Sequence, residues 1–223
     1  MRQTKAAGPP PGPSDIQLDT KNRPSQARSQ DTYEAVLATA GQMLIHIGFE
    51  QLTTNGICEQ AGLTPPALYR YFPNKYAVLK VLGERLMEAQ DAQILEWIIA
   101  GGLQPTGLED RAAKILAIQR EIIAVTRRFP GGLAINRAVR AVPMLQRLHF
   151  ESRDRIAERF LVTFKEQFPD VPEARLRIGT RLIAELSSAV TQMVVEGPLE
   201  DSDLLTSEAS FLFALYFETL KSQ

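Results

Sequence analysis

Cysteine is almost absent: the chain of 223 residues holds one, Cys58, and only two histidines. A lone thiol closes no internal disulfide, and so small a set of soft ligands argues against a zinc or other metal centre. A reducing cytoplasm suits such a chain. Long apolar runs are missing as well. None approaches the roughly 20 residues that cross a bilayer, and the N-terminus lacks the apolar segment of a signal peptide, so no membrane contact is expected. Nor is there a surplus of charge: 25 basic against 26 acidic residues leave a net charge of −1. Any affinity for nucleic acid must therefore arise from a local surface rather than from the field of the whole molecule. Alternating β-branched runs are lacking, which excludes a sheet protein. No carboxylate pair, Ser/His/Asp set or phosphate-cradling glycine loop is legible, so the residues imply neither an enzyme nor a cofactor.

What is present is 44% hydrophobic residues, enough to bury the core of a small domain joined to a larger one. Residues 1–25, with Gly8-Pro-Pro-Pro-Gly-Pro13 and few apolar side chains, read as a flexible arm. Its Lys21 and Arg23, with Arg28 beyond, serve either as a basic arm for the minor groove or as a solubilising tail. Asp31 before Thr32, with Glu34 three positions on, resembles a capping box. Val36, Leu37, Ala40, Met43, Leu44 and Ile47 then recur at helical spacing, which predicts a helix from about Thr32 to Ile47. Thr53 is a good N-cap for a short helix carrying Ile57, Cys58 and Ala61, which Gly62 ends. Thr64 caps another, opened by Pro65 and Pro66 and running to Phe72; from Lys75 a longer helix carries Leu79, Leu82 and Leu86 to about Ile99.

Beyond the glycines at 101, 102 and 107, Ile115, Ile118, Ile122, Val125 and Phe129 form one stripe of a core helix. Further helices are expected at about 133–142, 144–168, 173–196 and 203–221. The fold class is thus all-α, about nine helices: a three-helix helix-turn-helix DNA-binding domain at 26–76 and a larger helical ligand-binding and dimerisation domain at 77–223.

Two short helices joined by Ala61-Gly62-Leu63-Thr64 form the compact crossing on which DNA-reading helix-turn-helix units depend. The second is then the recognition helix. Thr53 stands at the start of the first, and Thr64, Pro65, Pro66 and Ala67 are small enough to bring the second close to DNA. Tyr69 and Tyr71 offer phenolic donors to phosphate, and Arg70 suits either a bidentate contact with guanine or a phosphate. Lys75, at a helix start, is a phosphate anchor. These features, from Gly48-Phe49 and Thr53 through Leu68-Tyr69-Arg70-Tyr71-Phe72 to Lys75 and Leu79, resemble the tetracycline-repressor-like (TetR) family of regulators over residues 31–80. The resemblance implies a homodimer, a pocket in the C-terminal domain and release from double-stranded operator DNA on ligand binding. Three positions depart from the family pattern: Gly56 inside a helix, Cys58 for alanine and Pro66 for glycine.

Trp97, Phe129, Met144, His149, Phe150, Phe164 and Met193 are the candidates to line a ligand cavity, and their character points to an apolar or aromatic small-molecule effector. A ligand near Trp97 or Phe129 would tilt the helix that starts at Lys75. Leu182, Leu186, Val190 and Met193 on one helix and Phe211, Leu212, Phe213, Leu215 and Phe217 on the last offer a dimer surface. The expected protein is a dimeric repressor; a helical small-molecule-binding protein or enzyme without DNA activity is the alternative.

Overall fold

The computed structural model describes residues 16–22, 24, 26–104, 107–197 and 199–221, and among them nine α-helices and no strand. Most of the expected arm, residues 1–15 with Arg23 and Ser25, lies outside the described residues. Ile16 to Asn22 lies against the protein: the Lys21 amide donates to the Tyr71 carbonyl at 2.8 Å, Asn22 Nδ2 to the Arg70 carbonyl at 2.9 Å, and Asn74 Nδ2 to the Gln17 carbonyl at 2.8 Å.

Helix α1 (Ala27–Gln51) starts a turn earlier than the capping pattern at Asp31 suggests. Nothing between Ser25 and Asp31 breaks a helix, and Ser29 Oγ takes the Gln26 amide at 3.2 Å, so the chain caps itself there. Tyr33, Val36, Leu37, Ala40 and Leu44 turn inward. Gly48 leaves the helical region with φ 69° and ψ 178°, a conformation that favours a residue without Cβ, and one more turn follows it. In α2 (Thr54–Ala61) Thr53 Oγ1 accepts from the Gly56 amide at 3.0 Å, and Gly62, at φ 63° and ψ 31°, closes the helix in the left-handed conformation.

Helix α3 is Pro65–Tyr69, shorter than the expected run to Phe72. The Tyr71 amide tightens onto the Leu68 carbonyl at 2.9 Å, and Phe72 drops into the core beside Pro73, which disfavours helical backbone before it. Thr64 holds the N-cap position without a side-chain cap bond. Pro66 has no amide to give, and the Ala67 amide goes to the Thr64 carbonyl at 2.9 Å.

Helix α4 (Lys75–Ile99) opens with Asn74 Oδ1 capping the Ala77 amide at 3.0 Å. It is followed by α5 (Leu108–Arg128), α6 (Gly132–Ala141), a 3-10 turn at Pro143–Leu145, α7 (Gln146–Gln167), α8 (Glu173–Glu196) and α9 (Ser202–Lys221). Acidic Glu109 and Asp110 open α5 and basic Arg127 and Arg128 end it, matching the helix dipole at both termini.

Two apolar clusters organise the chain. One joins α1, α2, α3 and the first half of α4 with Ile135, Val139, Val142, Leu145 and Leu148, so α6 and the start of α7 share the core of the N-terminal helices. The other lies among α5, α7, α8 and α9, where Phe160, Phe164, Phe168 and Phe217 form a chain of ring contacts. Arg85 Nη1 and Nη2 reach Glu34 Oε2 and Oε1 at 2.6 and 2.7 Å, a bidentate pair that ties α4 to α1. Among the described residues no helix is long and apolar enough to cross a membrane, and no group of His, Cys, Asp and Glu could hold a metal ion.

Candidate nucleic-acid interface and candidate ligand cavity

The α2–α3 pair rests on a fixed base. Ile57, Cys58, Leu68 and Phe72 are buried, with Tyr33 stacked on Phe72 at 4.7 Å between ring centroids. Burial also raises the Cys58 thiol above its ordinary pKa, so it is a packing group with little thiolate. Outward from this base, Thr53, Thr64, Pro65, Pro66 and Arg70 are exposed and Ala67 is half-buried. Tyr69 is 39% exposed and its hydroxyl lies 2.9 Å from Thr54 Oγ1, a bond that orients the phenol across the two helices. The Arg70 guanidinium lies 5.8 Å from the Tyr71 ring centre, with its charge toward solvent.

Two expected contacts are corrected here. Tyr71 is 3% exposed and packs edge-on against Tyr33, so its phenol is part of the core and is not offered to a phosphate. Lys75 Nζ is engaged already: it donates to the carbonyls of Phe49 and Glu50 at 3.0 and 3.2 Å and sits 4.4 Å from the Phe49 ring centre. Those carbonyls close α1, and a cation there satisfies acceptors that the helix leaves open. Helical spacing alone does not distinguish this partner from DNA.

A cavity of about 270 Å³ lies among α4, α5, α6, α7, α8 and α9. Of the seven candidates, Trp97 and His149 line it. The other five are corrected. Phe129 and Met144 pack on the N-terminal cluster. Phe164 is fully buried among aromatic rings, and Phe150 and Met193 face solvent, one residue and so about 100° of helix from the lining residues His149 and Gln192.

The residues missed include many polar ones. Gln119 Nε2 donates to Thr191 Oγ1 at 2.7 Å and its Oε1 accepts from Ser187 Oγ at 2.6 Å. Asp91 accepts from Ser152 Oγ at 2.7 Å and Arg155 Nη2 at 2.9 Å; burial raises its pKa above the usual carboxylate value against the pull of both partners. Arg153 pairs with Glu185. His149 is pushed down to about 4 by burial and by the cations of Arg153 and Arg140, so its imidazole is neutral at pH 7. A wall with this many polar groups offers hydrogen-bond and charge contacts beyond those of the apolar or aromatic effector expected from the large side chains. The available signal was a polar residue on an apolar stripe: Gln119 stands in register with Ile115, Ile122 and Ile123.

The fold thus belongs to the class in which a small helix-turn-helix unit is joined to a helical body by one continuous helix. Residues 36–82 match the bacterial regulatory proteins of the tetR family. The tetracycline repressor protein class C of Escherichia coli is 44% identical over 54 residues, 24% of this chain and 25% of that protein. The HTH-type transcriptional regulator EthR of Mycolicibacterium smegmatis is 33% identical over 70 residues, 31% of this chain and 32% of that one. This chain therefore spans about a quarter to a third of the curated relatives it matches. The fold as a whole is shared with a TetR-family transcriptional regulator from Streptomyces coelicolor, at a TM-score of 0.57 and 19% identity over 85% of this chain and 99% of the other. Residues 36–82 are thus similar to the bacterial regulatory proteins of the tetR family, and the chain as a whole shares the fold of such proteins.

Proposed function

We propose that this chain is a dimeric transcriptional regulator that represses by binding double-stranded operator DNA through residues 26–76 and leaves it when residues 77–223 bind a small molecule. The observation that carries this reading is α4. Its first turns place Ala77, Val78 and Leu79 in the core beneath the helix-turn-helix, and its later turns place Asp91, Ile94 and Trp97 in the cavity wall. A ligand that shifts one end of a rigid helix moves the other, provided its affinity differs between the two positions. Two recognition helices related by a twofold axis must stand about 34–36 Å apart, or a multiple, to read half-sites on one face of DNA. In this reading Arg70 and Tyr69 meet DNA beside Thr53, Thr64, Pro65, Pro66 and Ala67. The protein works in the cytoplasm, where its DNA lies, and carries out no catalysis.

The dimer is assigned to α8 and α9, as the sequence suggested, but without the buried Val190, Phe213 and Phe217. Phe213 and Phe217 are 6% and 3% exposed within the single chain, so they belong to its own core. The apolar side chains left outside include Ile178, Leu182, Leu186 and Met193 on α8 and Leu204, Phe211, Leu212 and Leu215 on α9, a surface suited to a symmetric four-helix contact. Leu212→Glu should give soluble monomers by light scattering.

A mobility-shift titration with the DNA upstream of the chain's own gene tests the whole reading. Arg70→Ala should weaken the specific complex by about 1–3 kcal/mol per half-site if the guanidinium reads a base. Absence of any complex would favour a small-molecule-binding protein without DNA activity.

A further inference from the structure

The polar wall of the cavity carries one more positive charge than its own partners neutralise. Two of its acids are matched: Asp91 by Arg155, and Glu185 by Arg153. Arg140 lines the same cavity and has no ion-pair partner among the described residues. On the next helix His149 Nε2 is buried without a hydrogen-bond partner among the described residues. Beside these polar groups the wall also holds apolar side chains, among them Ile94, Trp97, Ile115, Ile118, Phe160 and Phe213.

We propose that the ligand of this cavity is an amphipathic carboxylic acid, its carboxylate held by the Arg140 guanidinium and the Nε2–H of His149 and its alkyl or aryl body packed against Trp97 and the isoleucines. The inference rests on the reading of this cavity as the effector site. A guanidinium presents paired N–H donors that match the two oxygens of a carboxylate. A neutral imidazole carries one N–H, and in the tautomer protonated at Nε2 that nitrogen donates to an acceptor such as a carboxylate oxygen. One surplus cation balances a monoanion; a dianion would leave a charge buried and unpaired, and an ammonium would meet repulsion from Arg140.

Trp97 is the single tryptophan of the chain and lines the cavity, so its emission reports occupancy directly. Octanoate, 1-octanol and octylamine, and likewise 3-phenylpropionate with its alcohol and amine, are titrated into the full chain at pH 7.5. The acids should bind roughly tenfold or more tightly than the alcohols, with the amines weakest. Arg140→Ala should bring each acid to the affinity of its alcohol and leave the alcohol unchanged, and His149→Gln should remove part of the preference. Arg140→Lys, which keeps the charge and loses the fork, should fall between and guards against a fold defect in the alanine variant. Equal affinities of acid and alcohol, an acid preference that survives Arg140→Ala, or no change in Trp97 emission with any probe would overturn the proposal. The mobility shift run on the same protein separates the two readings. DNA binding with no acid preference sinks the ligand class alone, whereas acid preference without DNA binding sinks the regulator and leaves the cavity chemistry standing.

Discussion

The two halves of the molecule differ in what they bury. Within the cluster from Tyr33 to Met87 no charged, amide or aliphatic hydroxyl side chain is buried, whereas all ten of the buried polar and charged residues among the described ones lie at Asp91 or beyond, among them Arg111, Gln119, Asn136 and Thr191. An apolar core locks by shape, and its interior is as dense as an organic crystal, so the helices it supports keep one arrangement. A core with buried polar groups must satisfy each of them, and satisfied pairs around a cavity can be exchanged for ligand contacts. In the proposed function the N-terminal half would hold a surface still and the C-terminal half would have its wall rearranged.

The largest effect expected from this contrast comes from opening the apolar core. Phe72 is fully buried and stacked on Tyr33, so Phe72→Ala should destabilise by about 3–5 kcal/mol in urea unfolding and abolish DNA binding. A loss under about 1 kcal/mol would mean that this core tolerates a void and the contrast is weaker than its composition suggests.

Acid should expose the other half next. His149 is pushed down to about 4 in the folded chain from 6.5, burial first and the Arg153 and Arg140 cations second, with Asp91 and Glu185 on the same cavity wall. The unfolded chain therefore binds the extra proton between these two values, and stability is full above pH 6.5 and falls as pH drops toward 4. The loss over that window is about 3 kcal/mol from this one group. His149→Gln should flatten the limb by that amount; a wild-type curve parallel to the variant's would show that the imidazole stays accessible to protons.

At the junction of the halves, a Cβ on Gly83 would stand 2.7 Å from Val139 Cγ2 and 3.2 Å from Leu148 Cδ1. Gly83→Ala should push α4 away from α6 and α7, destabilising by about 1–3 kcal/mol. It should also alter DNA affinity without touching either surface. Unchanged DNA affinity would show that the position of α4 does not matter to the N-terminal half.

The same contrast explains how far the chain could be read. Helix α8 lies where its apolar spacing places it, at 173–196, because a long amphipathic helix carries its own period. Thr53 and Gly62 were legible because caps act within four residues. Tyr71 and Lys75 were not, since whether a tyrosine faces DNA or Tyr33, and whether a lysine meets phosphate or the end of α1, is decided by helices distant in sequence. The cavity fails for that reason in larger measure. Helical period puts Phe164 and Trp97 on inward faces alike, and only the packing of α9 fills the space beside one and leaves it open beside the other.

The smallest expected effect lies in the N-terminal half, at a position that departs from the family pattern. Glycine inside a helix costs about 1 kcal/mol relative to alanine, which by itself makes Gly56→Ala stabilising. The structure supplies an opposing contact: a Cβ at Gly56 would stand 3.1 Å from Thr53 Oγ1 and 3.2 Å from Met43 Cε. Met43 ends in a flexible methyl group and can give way. Thr53 Oγ1 cannot move without loosening its bond to the Gly56 amide, which caps α2, and a lost cap is worth about 1 kcal/mol. The two effects should nearly cancel, so the melting temperature of Gly56→Ala should stay within about a degree or two of wild type. In a Thr53→Ala background the obstructing oxygen and the cap are both gone, and Gly56→Ala should then recover nearly the whole propensity gain, about 1 kcal/mol. A double-mutant cycle by thermal melts measures the difference. A coupling of zero would show that glycine at this position is not held there by the Thr53 cap, and that the N-terminal core packs less tightly around α2 than its apolar interior implies.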